Sequence, residues 1–501
     1  MEIEIDTTIL ERFYAKFSLG RDRGMGSRHF LRIKIPAGRI TSEQLRAIAE
    51  LSDRYGRGYA EITDRQDIQL HWIQGKDAPE IFARLDELGF ATDKCGQAFP
   101  GPRYGDVRNV VTCPVAGLNK HELIDVTPIV RQINEFFIGK PEYLDLPRKF
   151  KISITGCELK CTRPEMQDLG LFAVKRGEEV GFAAIVGGSL GPSLPGPRLG
   201  KPLGVFIRPK EVFEVVRAMV DLFNERGNRE SKPKARFKWL VEEWGVERVR
   251  GELERKLGRK LERFEHGYPE VSGEEHIGIQ EQQDGRWFVC VPVIGGVVSS
   301  NKLRKIADLA EDFGGGEIRL TPYQNFILPH IPRDKLDAAL RRLDGIGLPA
   351  KGALLRWMII GCAADFCGKS VEPHPKQFAE QIVKRLEARF GDKLDNMKAI
   401  IHISGCPHDC GVQGAAHIGL MGMKVAEREE TRELYNMSVG GSFGANGSLS
   451  QLIAQRVTPE QAIEMIENLV GACLKEGFMD LGEFFRTRPL DVIKSIAGGG
   501  K

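Results

Sequence analysis

No stretch of the sequence reaches the roughly 18 consecutive apolar residues that a membrane-crossing helix needs, so no membrane partner is expected. The opening residues, MEIEIDTTILERFYAKF, carry acids early and lack the basic start and apolar core of a secretory signal, which makes the cytoplasm the expected address. Low-complexity tracts of the disordered kind are absent. Ten cysteines in 501 residues are too few for a disulfide scaffold. The net charge is only +3, and the basic residues of VERVRGELERKLGRKLERF alternate with glutamates at helical spacing, as on a solvated helix face. Unpaired Lys and Arg with aromatics between them are missing, which argues against a nucleic-acid partner. No Gly-rich dinucleotide fingerprint follows a strand: GGSLGPSLPGPRLGKPLG, residues 187–204, is too Pro-rich to open a helix and reads as an ordered loop. A C-x2-C-x2-C run of the bacterial ferredoxin kind is also absent.

What the sequence has is thiols in close pairs. Cys362 and Cys367 sit in IIGCAADFCGKS, and Cys406 and Cys410 in IHISGCPHDCGVQG, each pair behind an apolar, strand-like run. Four thiolates in two Gly-flanked pairs point to a metal centre, and zinc and iron-sulfur clusters both take such a set. The spacing is C-x4-C and C-x3-C with 38 residues between the pairs, which suits a bulky cluster held between core elements better than a compact zinc knuckle.

The length exceeds what one core usually supports, and the sequence repeats itself. FLRIKIPAGRITSEQLRAIAELSDRYGRGYAEITDRQDIQLHWI from Phe30 aligns without gaps on FVCVPVIGGVVSSNKLRKIADLAEDFGGGEIRLTPYQNFILPHI from Phe288, an offset of 258 residues. Each copy reads strand, helix, strand, and Thr41 with Gln44 has the spacing of a capping box. Further along, KISITGCELKC with Cys157 and Cys161 matches AIIHISGCPHDC with Cys406 and Cys410 at an offset of 249, which also sets Cys113 on Cys362. The expected fold class is α+β: two pseudo-symmetric halves from an internal duplication, each a small ferredoxin-like αβ unit plus a larger αβ cysteine-bearing unit, joined by a helical linker. The expected boundaries are 1–90, 91–230, a linker at 231–270, 271–345 and 346–501. Within the linker, residues 234–264 read as one or two amphipathic helices. Cys113, Cys157 and Cys161 occupy three of the four cluster positions in the first half, with Cys95 nearby; they read as buried relics of duplication, with a second metal or cluster as the alternative. Cys290 and Cys473 have no partners in spacing and are expected in the core.

In combination, TDRQDIQLH, VRNVVTCPVAG, YLDLPRKFKI, ARFKWLVEEWGVE, LTPYQNFIL and SGCPHDCGVQG resemble the sirohaem and 4Fe-4S sulfite/nitrite reductases, from about Phe30 to past Met437. The resemblance implies that Cys362, Cys367, Cys406 and Cys410 hold a 4Fe-4S cluster and that Cys410 also bridges to a sirohaem iron. The first pair is one residue shorter than the family's C-x5-C, so the loop from Ala363 to Phe366 must be rebuilt locally. Arg65, Arg108, Lys149 and Lys151 are the implied anion-binding and proton-delivering residues, and alternation along a strand would point both lysines to one face. Arg148, Arg319, Gln324 and Asn325 are implied sirohaem contacts. In the second copy Tyr323 replaces Arg65 and Asn325 replaces Asp67, which implies one active site at the interface of the halves. A family member of this kind reduces a small inorganic anion with six electrons, sulfite to sulfide or nitrite to ammonia. Lys151 stands where members favouring nitrite often have Asn, and a second cation suits dianionic sulfite. The electron donor must be external, with a ferredoxin leading and a flavoprotein subunit as the alternative. A rival from another class is a non-catalytic zinc-binding scaffold; a further one is a degenerate family member whose shortened loop no longer holds a cluster.

Overall fold

The structure, a computed structural model, describes residues 13, 15–21, 24–94, 105–157, 162–266, 276–363, 365–427, 430–444 and 447–498. Cys95 and Cys161 lie outside them.

In the first small unit, strand Arg28–Lys34 lies between Ile68–Gln74 and Ala91–Thr92, and Tyr59–Ile62 pairs on the outer side of Ile68–Gln74. The helix Ser42–Tyr55 begins as its sequence predicts: Gln44 N donates to Thr41 Oγ1 at 3.2 Å, and Thr41 N donates to Gln44 Oε1 at 3.1 Å. Leu45, Ile48, Ala49 and Leu51 fall on its buried face. The second small unit repeats the plan with Trp287–Val291, Ser300–Gly314, Glu317–Leu320 and Phe326–Ile331.

The repeats exchange strands. Val297–Ser299 of the second adds to the first sheet beside Tyr59–Ile62, and Arg39–Thr41 of the first adds to the second beside Glu317–Leu320. Helices Ser42–Tyr55 and Ser300–Gly314 pack on each other in one shared core that includes Leu45, Ile48, Leu303 and Ile306. Across this contact the ion pairs repeat with the symmetry: Arg46 meets Glu311 at 2.5 Å and Arg304 meets Asp53 at 2.5 Å. Such exposed pairs are worth about 0–1 kcal/mol each, so the shared apolar face carries the interface.

Each large unit is a five-stranded sheet. In the second half the order is Ile359–Gly361, Ile401–Ser404, Ile418–Glu427, Glu430–Val439, Gln451–Val457, parallel across the first three and antiparallel thereafter. Val111–Thr112, Ile152–Thr155, Leu169–Arg176 and Glu179–Val186 repeat this pattern in the first half. The linker forms the helix Phe237–Leu257, broken at Gly245, where φ is 73°. Phe237, Leu240, Val241, Val249 and Leu253 sink into the first half's core, so the linker is part of that half rather than a free tether.

Two glutamines join the small units to the large ones. Gln66 donates to Leu320 O at 2.8 Å and accepts from Thr112 N at 2.9 Å; Gln324, its repeat, donates to Gly361 O at 2.9 Å and accepts from Gly361 N at 3.3 Å. Both are buried at tight turns with positive φ, 60° and 63°. Gln66→Leu leaves two buried backbone groups unpartnered at about 1–3 kcal/mol each, so urea titration of the variant should show a loss of about 2–4 kcal/mol in unfolding free energy.

Candidate active site

Cys362 follows the strand Ile359–Gly361 directly and Cys406 comes two residues after Ile401–Ser404. Because these strands are neighbours and parallel, both thiols leave the same end of the sheet. Cys362 Sγ accepts from Gly405 N at 3.2 Å. Gly405 makes that approach because it has no side chain: a Cβ there would lie 2.0 Å from Ser370 Oγ. The thiols of Cys367 and Cys406 are in hydrogen-bond contact, and Cys406 Sγ lies 3.5 Å from His408 Nδ1. Burial pushes the Cys362 thiol up, with neighbouring cysteines adding to the effect; Cys410 is exposed, and Lys149 and Lys151 favour its thiolate. Among the described residues, no three of these four sulfurs lie within 4.8 Å of one another. One tetrahedral zinc with bonds of about 2.3 Å would need all four at separations of about 3.8 Å. The four thiols are therefore too spread for one zinc, although Cys367 and Cys406 stand closer than a cluster between them would leave them.

Of the four, Cys410 alone lines a cleft of about 120 Å³. Its walls come from both halves. Arg32, Arg65, Arg108, Lys149, Lys151 and Arg236 converge on it from the first half and the linker, and His408, Asp409, Cys410 and Val412 face it from the second. Arg65 sits on the turn between Tyr59–Ile62 and Ile68–Gln74, donating to Gln167 Oε1 at 3.0 Å and to Asn109 O at 2.5 Å, while its Nε has no partner. Arg108 is clamped by Asp93 at 3.1 Å and Asp106 at 3.2 Å. Arg236, at the start of the linker helix, holds Asp168 at 3.0 and 3.1 Å, and Asp168 also accepts from Lys151 N at 2.8 Å. Ser189, Leu190 and Gly191 of the Gly/Pro-rich loop complete the wall, anchored by Lys238, which donates to Gly191 O at 2.7 Å and Gly196 O at 2.6 Å.

The cleft is electrostatically tense. Burial, then the charge of Lys151, holds Lys149 down at about 7; burial, then Arg65, holds Lys151 at about 8. Burial and the neighbouring Asp93 raise Asp67 to about 8, whereas Asp93, despite its own burial, is held low by Arg108 and Lys34. Cations outnumber ionised carboxylates here, and an unpartnered Arg65 Nε points to an anionic occupant. A polycarboxylate cofactor and an oxyanion fit this set.

The predicted residues divide sharply. Arg65, Arg108, Lys149, Lys151 and Cys410 meet in the cleft. Arg148, Arg319, Gln324 and Asn325 are not among its lining residues. Arg148 is half-buried. Arg319 is spent on Pro114 O at 3.2 Å, Ala116 O at 2.8 Å and Glu317 at 2.5 Å. Gln324 is spent on Gly361, and Asn325 bonds Val293 N and Trp357 O, both at 2.9 Å. The symmetry-related place in the other half is nearly closed. A cavity of only about 10 Å³ remains there, lined by Tyr323 and Trp357, the repeats of Arg65 and Arg108. Arg163, the repeat of Val412, lies 3.9 Å over the Tyr323 ring.

Two family models cover most of the chain. The nitrite and sulphite reductase 4Fe-4S domain matches residues 104–261 and 364–478, and the nitrite/sulfite reductase ferredoxin-like half domain matches residues 21–88 and 279–346. The chain belongs to the nitrite and sulphite reductase family. It is 33% identical over 479 residues to the assimilatory ferredoxin-dependent nitrite reductase of Haloferax mediterranei, covering 90% of this chain and 80% of that protein. It is 34% identical over 453 residues to sulfite reductase [ferredoxin] 2 of Mycolicibacterium paratuberculosis, covering 88% and 79%. The structure of the Mycobacterium tuberculosis NirA protein superposes with a TM-score of 0.85 at 29% identity over 93% of this chain and 85% of that one. The protein is thus an oxidoreductase of the sirohaem and 4Fe-4S type, built from the duplicated α+β halves that its repeats predict.

Sequence reasoning passed over Arg32, Arg236 and His408. Arg236 lies inside the motif ARFKWLVEEWGVE, which carried the resemblance without assigning a role to its basic residues, and Arg32 lies in the first alternating strand. Asp168→Asn removes the partner that holds Arg236 beside Lys151. Breaking a buried pair from one side costs about 3–5 kcal/mol, and thermal unfolding should register a loss toward the lower end because Arg236 faces an open cleft.

Proposed function

We propose that this reductase takes sulfite to sulfide with six electrons drawn from a ferredoxin, with nitrite reduction to ammonia as the alternative at the same centre. The observation that carries the reading is that one thiol of the four, Cys410, opens into a cleft lined by Arg65, Arg108, Lys149 and Lys151. In this reading Cys362, Cys367, Cys406 and Cys410 hold the cluster and Cys410 is the thiolate shared with sirohaem. When bound, the coupled pair supplies electrons one at a time to an anion that stays in place.

The chain's own residues do the rest. Arg65 and Arg108, fixed by Gln167 and by Asp93 with Asp106, present guanidinium groups to an oxyanion or to cofactor carboxylates. Lys149 and Lys151, at about 7 and 8, are matched to passing protons from Nζ to a substrate oxygen near neutrality. Arg319, Gln324 and Asn325, bound to backbone, act by positioning the turn and strands beneath the site. Relatives carry both substrate names; the second lysine favours the dianion. Ferredoxin as the donor accords with the names of those relatives and with the missing dinucleotide fingerprint.

Anaerobically purified protein should show a Soret and charge-transfer spectrum and about four acid-labile sulfides per chain, and should turn over sulfite with a chemical reductant; a colourless, zinc-loaded preparation overturns the reading. Lys151→Asn should lose sulfite turnover by about 10-fold or more relative to nitrite turnover, the scale of one charge-assisted hydrogen bond of about 1.5–3 kcal/mol; equal losses refute the preference for sulfite. Both lysines are cationic below their pKa values, so kcat/KM for the anion should fall as pH rises through about 7 to 8, and a pH profile of Lys149→Met should lack the part of that fall at lower pH.

A further inference from the structure

The first half holds a second constellation of metal-binding groups that the reductase chemistry does not use. Cys113 Sγ, Cys157 Sγ and a ring nitrogen of His276 all lie within 4.8 Å of one another, with Cys113 Sγ 3.3 Å from His276 Nε2. All three residues are buried, at 1%, 0% and 2% exposure. They come from three distant segments: Cys113 just past Val111–Thr112, Cys157 just past Ile152–Thr155, and His276 just before the strand Gly278–Glu281 that leads into the second small unit. Cys113 and Cys157 are the repeats of Cys362 and Cys406, so the duplication delivers two thiols to adjacent strand ends in this half too. His276 has no part in that repeat.

We propose that Cys113, Cys157 and His276 bind a single zinc ion in the first half, at the place where the second half has its cluster thiols. The two centres differ in size. Zinc with sulfur at about 2.3 Å and nitrogen at about 2.0 Å sets its donors about 3.5–3.8 Å apart; the three donors here lie within 4.8 Å of one another, one pair at 3.3 Å, and no three of the second-half thiols do. The site is too tight for a cluster of the second-half kind. Two sulfurs and an imidazole are a zinc donor set by softness, and among the described residues they supply three of the four positions. The small cavity lined by Pro114 and Ile277, the residues following Cys113 and His276, lies along the same segments.

Buried thiolates are costly without a cation beside them. A divalent ion replaces the thiol protons and neutralises both thiolates at once. His276 also adopts a left-handed backbone, φ 60°, which a non-glycine residue keeps only when its surroundings hold it. The ion would tie the entry to the second small unit onto the first large sheet.

Elemental analysis of the holoenzyme produced in zinc-supplemented medium should find about one zinc per chain besides the iron, and the zinc K-edge fine structure should fit two sulfurs and at least one nitrogen. Cys113→Ser with His276→Ala should lower zinc at least about 10-fold while the iron content and visible spectrum persist, which keeps this result separate from failure of the reductase reading. Zinc below about 0.1 per chain in the unsubstituted enzyme, a zinc edge showing only oxygen and nitrogen neighbours, or a Cys113–Cys157 disulfide in peptide mapping each overturns the proposal. If the double variant does not fold, the edge spectrum of the unsubstituted enzyme alone decides.

Discussion

Six cationic side chains facing one cleft are the constraint to which the rest of the structure responds. Two like charges 4 Å apart repel by about 4 kcal/mol at the dielectric typical of a protein surface, and several such contacts exceed what a domain's net stability absorbs. The chain answers with buried carboxylates set behind the cations: Asp93 and Asp106 behind Arg108, and Asp168 behind Arg236. It also lets the two lysines drift toward neutrality. What remains is a deficit of negative charge, which suits a polycarboxylate cofactor and an oxyanion.

Holding that arrangement requires walls that do not relax. The cleft is built between halves, and the halves are fastened by reciprocal strand exchange and by a shared helix-on-helix core rather than by surface charge. Gln66 and Gln324 then bolt the turns carrying Arg65 and Tyr323 to the large sheets beneath them. The same symmetric frame yields an asymmetric result. Where the first repeat places Arg65 and Arg108, the second places Tyr323 and Trp357, and Arg163 stacks over the tyrosine. Aromatic rings and a stacked guanidinium fill the space that cations leave open on the other side, so one of two equivalent positions became the cleft.

Much of this was legible from residue order. The offsets of 258 and 249 residues marked the duplication, and Thr41 and Gln44 marked a helix start that forms as expected. Lys149 and Lys151 reach the same cleft, from residues just before the strand Ile152–Thr155 and not from within a strand as expected. The implied cofactor contacts Arg319, Gln324 and Asn325 fared differently. Their place in the repeat is correct, but the two-fold turn that puts Asp67 in the cleft puts Asn325 against Trp357 O and Val293 N. A repeat read linearly does not say which copy faces the cavity.

The sequence by itself determined the duplicated α+β architecture and the family. These rest on periodicity, spacing and motif, which are relations between neighbours along the chain. Tertiary structure decided that Arg32 and Arg236 join the cleft, that its symmetry mate is plugged, and that His276 meets two thiols from segments more than a hundred residues away. The physical reason is that side-chain direction and through-space distance are set by packing, and no local pattern encodes which distant strand ends will meet.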